Sequence, residues 1–208
     1  LSGPPFIFTP PGTPDTPVTP TGPVFCFSGD TLVHVKNKGS TLMKNLELDD
    51  EVRVGWNTFS RVYSFGHRHE TISGEYLQLF IDKSSPPLEI SPDHMVFLSG
   101  GRAVPASSLQ VGDQLETAST GQVGTLLSIE RVIREGAYAP FTYSGTILVD
   151  GIKASSYVAF QDSPFFKLGK WTTPLSYHWM AHASQLPHRM YCTYVGSCTT
   201  ERYNELGL

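Results

Sequence analysis

The chain has 208 residues, a formal charge of −4 and 16% charged residues. Its length suits one globular domain with appendages, which buries roughly 70% of the surface that the unfolded chain exposes. There is no run of Lys or Arg to attract nucleic acid or an anionic membrane surface, so we expect no nucleic-acid partner. The short apolar runs and the uncharged first residues predict neither a transmembrane helix nor a signal peptide, and we interpret the chain as a fragment of a longer precursor.

Residues 1–25 are a proline-rich lead that contains eight of the chain's 16 prolines among Thr, Gly and Ser. This composition favours extended polyproline II and cannot build a core. We predict that residues 1–25 are a precursor segment or linker.

From Cys26 to about Phe160 the sequence changes to short runs of β-forming residues. Residues 32–35, 51–54 and 76–81 are three such runs, separated by breaks rich in Gly, Pro and Ser. This pattern predicts an all-β domain over residues 26–160.

An internal repeat lies inside this β-rich region. One copy has Leu32, Val33, Leu46, Leu48, Asp50 and Val52, and the other has Met95, Val96, Leu109, Val111, Asp113 and Leu115. The offset is 63 positions throughout, from 32 to 95 and from 52 to 115. Two copies indicate a duplicated β subdomain with a pseudo-two-fold axis, since a solenoid needs at least three repeats. Such an axis brings the start of one copy near the middle of the other, and therefore Cys26 near His94.

The last part of the chain, residues 161–208, is crowded with aromatic residues. We predict one helix there, from Pro174 to about Leu186, with Thr173 as its cap and Pro174 in its first turn. Trp171, Tyr177 and Trp179 are candidate ligand-binding residues, and ordinary core packing is the alternative for them.

The three cysteines make an odd count. Cys192 and Cys198 lie close enough in sequence to form a disulfide, which leaves Cys26 for a reactive role. The alternative is that all three are reduced in an intracellular protein.

Cys26 opens the β-rich region, where a self-cleaving domain keeps its nucleophile. To break the Phe25–Cys26 bond from within, Sγ must attack the Phe25 carbonyl, and attack requires thiolate character. A group that titrates near neutrality must then give a proton to the departing nitrogen, and His94 is our candidate. Ser91, three residues earlier, is the candidate for a hydrogen bond that twists or polarises the scissile amide.

Three segments carry a resemblance to a known family. They are Cys-Phe-Ser-Gly-Asp-Thr at 26–31, Ser-Pro-Asp-His-Met-Val-Phe at 91–97 and Gly-Thr-Ile-Leu-Val-Asp-Gly-Ile-Lys-Ala-Ser-Ser-Tyr at 145–157. At these residues the chain resembles the Hedgehog C-terminal autoprocessing (Hog) domain of the Hedgehog/intein (Hint) superfamily, well over residues 26–160 and loosely over the tail.

The resemblance implies an all-β, pseudo-two-fold Hint fold and an N-to-S acyl shift at Cys26. In Hedgehogs a sterol then attacks the thioester and releases a lipidated N-terminal portion. By motif position Cys26 matches the nucleophile, His94 the amide-protonating histidine and Ser91 the usual threonine. The tail, residues 161–208, corresponds in position to the adduct- or sterol-recognition region.

Three further positions depart from the Hedgehog pattern. Phe25 stands where Hedgehogs usually have glycine. His67 stands at what looks like the position of the aspartate that activates sterol, and an imidazole can also act as a general base. Ser156 replaces a cysteine of the Ala-Ser-Cys-Tyr motif, so no disulfide can join this position to Cys26.

The leading hypothesis is a single-turnover autoprocessing domain in which a sterol or similar alcohol resolves the thioester, with the chain's own N-terminal segment as acyl donor. Thioester hydrolysis and a non-catalytic Hint-like binding module are the alternatives. Intein splicing does not fit, because the stretch at 151–156 has no His-Asn pair. A papain-like protease does not fit either, because its nucleophile sits on a helix.

His178 and His182 have the i, i+4 spacing of zinc ligands, but no third ligand is evident nearby. We expect no metal site and no cofactor. We also expect a monomer, and the family resemblance implies the secretory pathway or the extracellular space as part of a longer precursor.

Overall fold

The computed structural model describes residues 26–82, 84–118, 122–159, 165–195 and 198. The predicted linker at 1–25, with Phe25, lies outside these residues. So do the predicted domain boundary at 160–161 and the last ten residues.

The described chain is built mainly from β-strands. They are β1 (Leu32–Val35), β2 (Gly39–Leu42), β3 (Glu51–Gly55), β4 (Thr58–Ile81), β5 (Leu88–Ile90), β6 (His94–Leu98), β7 (Arg102–Pro105), β8 (Gln114–Glu116), β9 (Val123–Thr142), β10 (Thr146–Val149), β11 (Ile152–Val158), β12 (Phe165–Leu168) and β13 (Trp171–Ser176). Two helices follow, α1 (Tyr177–Ser184) and α2 (Leu186–Val195). The predicted all-β fold with a partly helical C-terminal extension is confirmed.

Strands β1 to β11 belong to one sheet with the order β10-β11-β6-β8-β9-β4-β3-β1-β2, in which β5 also pairs with β4 and β7 with β6. An additional pairing of β10 with β1 joins distant parts of this order. The long strands β4 and β9 run antiparallel from the Val62–Thr142 pair to the Ile81–Leu126 pair, with several β-bulges. These two strands link the halves of the domain.

The internal repeat appears in the structure as two copies of one unit. Strands β1, β2 and β3 of the first copy correspond to β6, β7 and β8 of the second, and a short 3₁₀ turn follows β2 and β7. The repeated aspartates have the same role: Asp50 Oδ2 accepts from the Glu47 N–H at 3.0 Å, and Asp113 Oδ2 accepts from the Gln110 N–H at 2.8 Å. The repeated sequence pattern therefore encodes the same turn twice.

Both copies contribute to one hydrophobic core. Leu46 and Val52 from the first copy and Leu115 from the second have no exposed surface. Burying such side chains stabilises a fold by roughly 1.5–3 kcal/mol each. This shared core fixes the position of one copy of the repeat relative to the other.

The C-terminal extension differs from the predicted single helix. Pro174 lies inside β13, which pairs with β12 through Lys167–Thr172 and Leu168–Trp171, and the Thr173 hydroxyl donates to the Phe166 carbonyl instead of capping a helix. Helix α1 begins at Tyr177, where Ser176 Oγ accepts from the Trp179 N–H at 3.2 Å. The predicted start was wrong because strand pairing outweighs the preference of proline for a first helical turn.

Cys192 near the end of α2 forms a disulfide with Cys198. Cys26 lies outside this disulfide and is buried. Neither helix in the described part of the chain has the length and apolar character that a membrane crossing requires.

Asp150, in the turn between β10 and β11, is a buried carboxylic acid. Its Oδ1 accepts from the Leu32 N–H at 2.9 Å, whereas Oδ2 has no hydrogen-bond partner among the described residues. Burial is the main cause that raises its pKa to about 7, against the lowering effect of the Leu32 N–H. The folded state therefore favours the protonated acid.

We expect Asp150→Asn to make the protein more stable at pH 8, because a neutral amide replaces a buried carboxylate whose ionised form is destabilised by the loss of water. The unfolded acid ionises near its ordinary pKa of 3.8, so the wild type loses stability as pH rises from about 4 to about 7, by up to a few kcal/mol. Asparagine also tolerates the positive φ of 48° at this position. Thermal melts at pH 5 and pH 8 measure the effect.

The exposed Glu130→Gln variant is the control, since it also removes one carboxylate. A melting temperature of Asp150→Asn at or below that of wild type at pH 8 would contradict the prediction.

Candidate functional site

Cys26 is the first described residue, and backbone hydrogen bonds hold it at the centre of the fold. Its N–H donates to Ser91 Oγ at 2.9 Å, and its carbonyl accepts from the Ser91 N–H at 3.0 Å. The thiol belongs to a buried cluster with Tyr76, Ala137 and Ala139, and Cys26 is 1% exposed. The amide that joins Cys26 to the preceding residue is thus fixed at its nitrogen by the Ser91 hydroxyl.

His94 starts β6, one turn after Ser91. The turn between them closes through the hydrogen bond from the His94 N–H to the Ser91 carbonyl at 3.1 Å. The His94 ring lies 4.3 Å from the Phe27 ring, measured between centroids. The Ser91-Pro92-Asp93-His94 motif therefore places Ser91 against Cys26 and the His94 ring against Phe27, the next residue along the chain.

The His94 imidazole is fully buried and held in one orientation. Nε2 lies 2.8 Å from the Ser155 carbonyl oxygen, and Nδ1 has no hydrogen-bond partner among the described residues. Since a carbonyl only accepts, Nε2 carries the hydrogen and Nδ1 has the lone pair in the neutral ring. Burial lowers the pKa of His94 to about 4, with the Ser155 carbonyl opposing this change. At neutral pH the ring is a neutral base.

Ser155 lies in an irregular part of β11. The pairing of β11 with β6 shifts between Ala154, opposite Val96, and Val158, opposite His94. Four residues of β11 thus span two residues of β6, which is a β-bulge. Ser155 keeps its pairing with Thr146 of β10, while within the bulge its carbonyl accepts from the His94 side chain.

An apolar cavity of about 660 Å³ lies between the β domain and helix α1. Its walls come from β4, β9, β11, β12 and α1: Gly66, His67, Ala139, Phe141, Ser156, Tyr157, Val158, Phe166, Tyr177, Met180, Ala181, Ser184 and Gln185. Ala139 also packs in the cluster of Cys26. Ala139 is therefore common to the cluster of Cys26 and to the wall of a space that suits an apolar ligand.

His67 contributes the imidazole of this cavity wall. It lies in β4 within the register shift between Phe65 and Arg68. Its neighbour Gly66 allows close packing, since a Cβ there would lie 2.9 Å from the Phe141 ring. The bulge and the glycine together leave His67 facing the cavity.

The other predicted residues have separate positions. Ser156 Oγ is 3.3 Å from the Thr142 nitrogen, whose N–H it accepts, and Ser156 lines the cavity. Of the three aromatic candidates in the tail, Tyr177 lines the cavity, while Trp171 is 81% and Trp179 53% exposed.

The tail histidines contact protein groups. His178 Nδ1 lies 2.9 Å from Ser155 Oγ, and His182 Nδ1 lies 3.0 Å from the Tyr157 hydroxyl. In a separate cluster His188 Nε2 and the sulfurs of Cys192 and Cys198 lie within 4.8 Å of one another. Both sulfurs are in the disulfide, which removes the thiolates that a metal ion would need.

Sequence reasoning missed Ser155, Ala139 and helix α2. Ser155 is part of the Ala-Ser-Ser-Tyr segment, but only the bulge reveals its carbonyl as a partner of His94. Pro187 in the first turn of α2 was a signal for that helix.

Comparisons with known proteins agree with this architecture. A family profile described as the Hint module matches residues 19–194. Warthog protein 8 of Caenorhabditis elegans is 28% identical over 151 residues, covering 64% of this chain and 27% of that protein. Sonic hedgehog protein of Danio rerio is 27% identical over 153 residues, covering 66% of this chain and 36% of that protein. The chain thus spans only about a third of these curated relatives.

Solved structures with low identity share the fold. The gp41-1 intein aligns with a TM-score of 0.54 and 14% identity, covering 62% of this chain and 97% of the intein. A bacterial intein-like domain from Clostridium thermocellum aligns with a TM-score of 0.52 and 21% identity, covering 62% of this chain and 96% of that domain. Since the family profile matches most of the 208 residues, the chain belongs to the Hint family.

Proposed function

We propose that the chain is a single-turnover autoprocessing domain that cleaves its own Phe25–Cys26 bond by an N-to-S acyl shift. The observation that carries this proposal is the 2.9 Å hydrogen bond from the Cys26 N–H to Ser91 Oγ. It holds the nitrogen of the proposed scissile amide at Ser91, which shares a turn with the buried His94. Membership of the Hint family supports the same chemistry.

In the first step Cys26 Sγ attacks the Phe25 carbonyl carbon. The thiol proton goes to His94 Nδ1, the ring nitrogen that has the lone pair. As the C–N bond of the tetrahedral intermediate breaks, His94 returns this proton to the Cys26 nitrogen. A thioester and a free amine result, with Ser91 Oγ accepting from the amine.

A low pKa suits His94 for this double role. A neutral ring can accept the thiol proton, and the imidazolium so formed in a buried site is a strong acid that readily gives it up. A hydrogen bond from Nε2 to Ser155 persists in both states of the ring. General acid–base help of this kind contributes about 10²–10⁴-fold to a rate.

In the second step we propose that an apolar alcohol of the sterol class resolves the thioester. The cavity shares Ala139 with the cluster of Cys26 and has mainly apolar walls, to which His67 contributes an imidazole. His67 takes the hydroxyl proton while the alcohol oxygen attacks the thioester carbonyl, and the Cys26 thiolate leaves and is reprotonated. The N-terminal segment is released as an ester.

The proposed partners are therefore the chain's own N-terminal segment as acyl donor and the alcohol as second substrate, with a monomer as the active unit. The Cys192–Cys198 disulfide and the Hedgehog relatives support a secretory or extracellular location, where disulfides persist.

Intact-mass spectrometry tests both steps. Purified protein is incubated alone, with hydroxylamine, or with cholesterol in detergent. Hydroxylamine traps thioesters and does not reduce the disulfide. We expect a fragment ending at Phe25 with hydroxamate mass in the second sample and with sterol ester mass in the third. A free acid in all three samples would instead identify hydrolysis, and an intact chain throughout would indicate a binding module.

A pair of variants on α1 tests the cavity. Ala181 lines it and Ala183 does not. We expect Ala181→Trp to lower sterol-dependent release at least tenfold while hydroxylamine-dependent release stays within about twofold, and Ala183→Trp to change neither. Equal sterol ester formation in both variants would contradict the role of the cavity.

A further inference from the structure

A chain of hydrogen bonds connects helix α1 to His94 through Ser155. The Ser155 carbonyl accepts from His94 Nε2 at 2.8 Å, and Ser155 Oγ lies 2.9 Å from His178 Nδ1. Ser155 has no exposed surface. One buried residue of the β11 bulge therefore contacts both histidines.

The Ser155 hydroxyl has a second partner besides His178. Ser155 Oγ accepts from the Tyr157 N–H at 2.9 Å, and its hydroxyl hydrogen is available to the lone pair of a neutral His178 ring, while its second lone pair is available to an Nδ1–H. Burial, together with the charges of His182 and Lys153, lowers the pKa of His178 to about 4, so the ring is neutral at neutral pH.

The His178 ring is itself held in place. It packs edge-on against Phe97, with 5.0 Å between centroids, and lies 5.8 Å from the Tyr157 ring. Phe97 belongs to β6, the strand that begins with His94. Helix α1 is thereby fixed to the same strand that carries His94.

From this geometry we infer that His178 is a positioning residue for the first step, which holds Ser155 so that its carbonyl fixes the His94 ring with Nδ1 available to the Cys26 thiol. The inference rests on the proposed acyl shift. Ser155 pairs with Thr146 of β10 on one side, but on the side of β6 the bulge interrupts the regular ladder. The two hydrogen bonds of Ser155 Oγ support the residue where this pairing is interrupted. The C-terminal extension thus contributes to bond cleavage as well as to the cavity.

The kinetics distinguish positioning from a loss of folded protein. At low hydroxylamine concentration the release rate depends on the equilibrium constant between amide and thioester. A group that speeds the forward and the reverse shift equally does not change this constant. At saturating hydroxylamine the rate equals that of the forward shift. Loss of a positioning residue therefore lowers the plateau and leaves the initial slope unchanged, whereas partial unfolding lowers both by the same factor.

We expect His178→Ala to lower the plateau about tenfold with the initial slope within about twofold of wild type. Ser155→Ala, which keeps the carbonyl but removes Oγ, should have the same effect. The double variant should be no slower than either single variant, since all three break one connection. Trp179→Ala is the matched control on the same helix, because the Trp179 side chain is 53% exposed; its plateau and initial slope should stay within about twofold of wild type.

An unchanged plateau in His178→Ala, or effects of the two alanine variants that multiply in the double variant, would overturn the inference. If wild type itself releases no fragment with hydroxylamine, the acyl shift fails and not only the role of His178.

Discussion

Replacing Cys26 with alanine is expected to abolish release of the N-terminal fragment with every nucleophile. In the proposed mechanism Sγ is the atom that attacks the Phe25 carbonyl, and no thioester forms without it. Intact-mass spectrometry after incubation with hydroxylamine measures this directly, and a full-length mass should persist. Release at the wild-type rate from Cys26→Ala would exclude the mechanism.

The alanine variant is a clean test because Ser91 is hydrogen-bonded to backbone atoms of Cys26. Both hydrogen bonds, to Ser91 Oγ and from the Ser91 N–H, remain available when the thiol is removed. The side chain that is lost is small and packs with Tyr76, Ala137 and Ala139. A melting temperature close to that of wild type, as the control, separates loss of chemistry from loss of fold.

Much of the fold followed from the sequence because it is encoded twice. The offset of 63 positions appears in the structure as the correspondence of β1, β2 and β3 with β6, β7 and β8. Each copy has an Asp, at 50 and 113, that accepts from a backbone N–H three residues earlier. The local turn residues and the apolar pattern favour the same structure, so the sequence alone predicts the repeat.

The C-terminal extension was harder to predict because its segments depend on contacts distant in sequence. Thr173 and Pro174 have the local character of a helix start, yet pairing between β12 and β13 keeps them extended. Helix α1 presents Tyr177 to the cavity and His178 to Ser155, contacts that local periodicity does not reveal. Tertiary pairing outweighed local propensity here.

The candidate site, too, was only partly predictable from the sequence. Cys26, Ser91 and His94 were candidates from motif spacing; Cys26 is hydrogen-bonded to Ser91, and Ser91 is joined to His94 by one turn. The hydrogen bond from His94 to the Ser155 carbonyl depends on a β-bulge, which a residue pattern does not identify. It is this bond that leaves Nδ1 as the basic atom.

Replacing His94 with alanine is expected to slow the first step by about 10²–10⁴-fold, because His94 carries the proton from the thiol to the amine in the proposed mechanism. The plateau rate with saturating hydroxylamine is the quantity to measure. The exposed His34→Ala variant is the matched control and should retain the wild-type rate.

The pH dependence gives the same residue a second signature. With the pKa of His94 lowered to about 4 by burial, Nδ1 has its lone pair at neutral pH and loses it as pH falls through about 4. The first-step rate of wild type should therefore fall below pH 5 and stay independent of His94 titration above pH 6. In His94→Ala the residual rate should have no inflection near pH 4.

The titration of His94 also makes the stability of the fold depend on pH, because the ring binds a proton more readily in the unfolded state. Unfolded His94 binds a proton below its ordinary pKa of 6.5, whereas the folded ring resists protonation down to about pH 4. Folding is thus destabilised as pH falls from about 6.5 to about 4. Since alanine does not titrate, His94→Ala should lose less stability than wild type over this window, although burial of the ring makes the variant less stable at pH 7. An acid-dependent loss equal to that of wild type would mean that other groups, and not His94, are responsible for it.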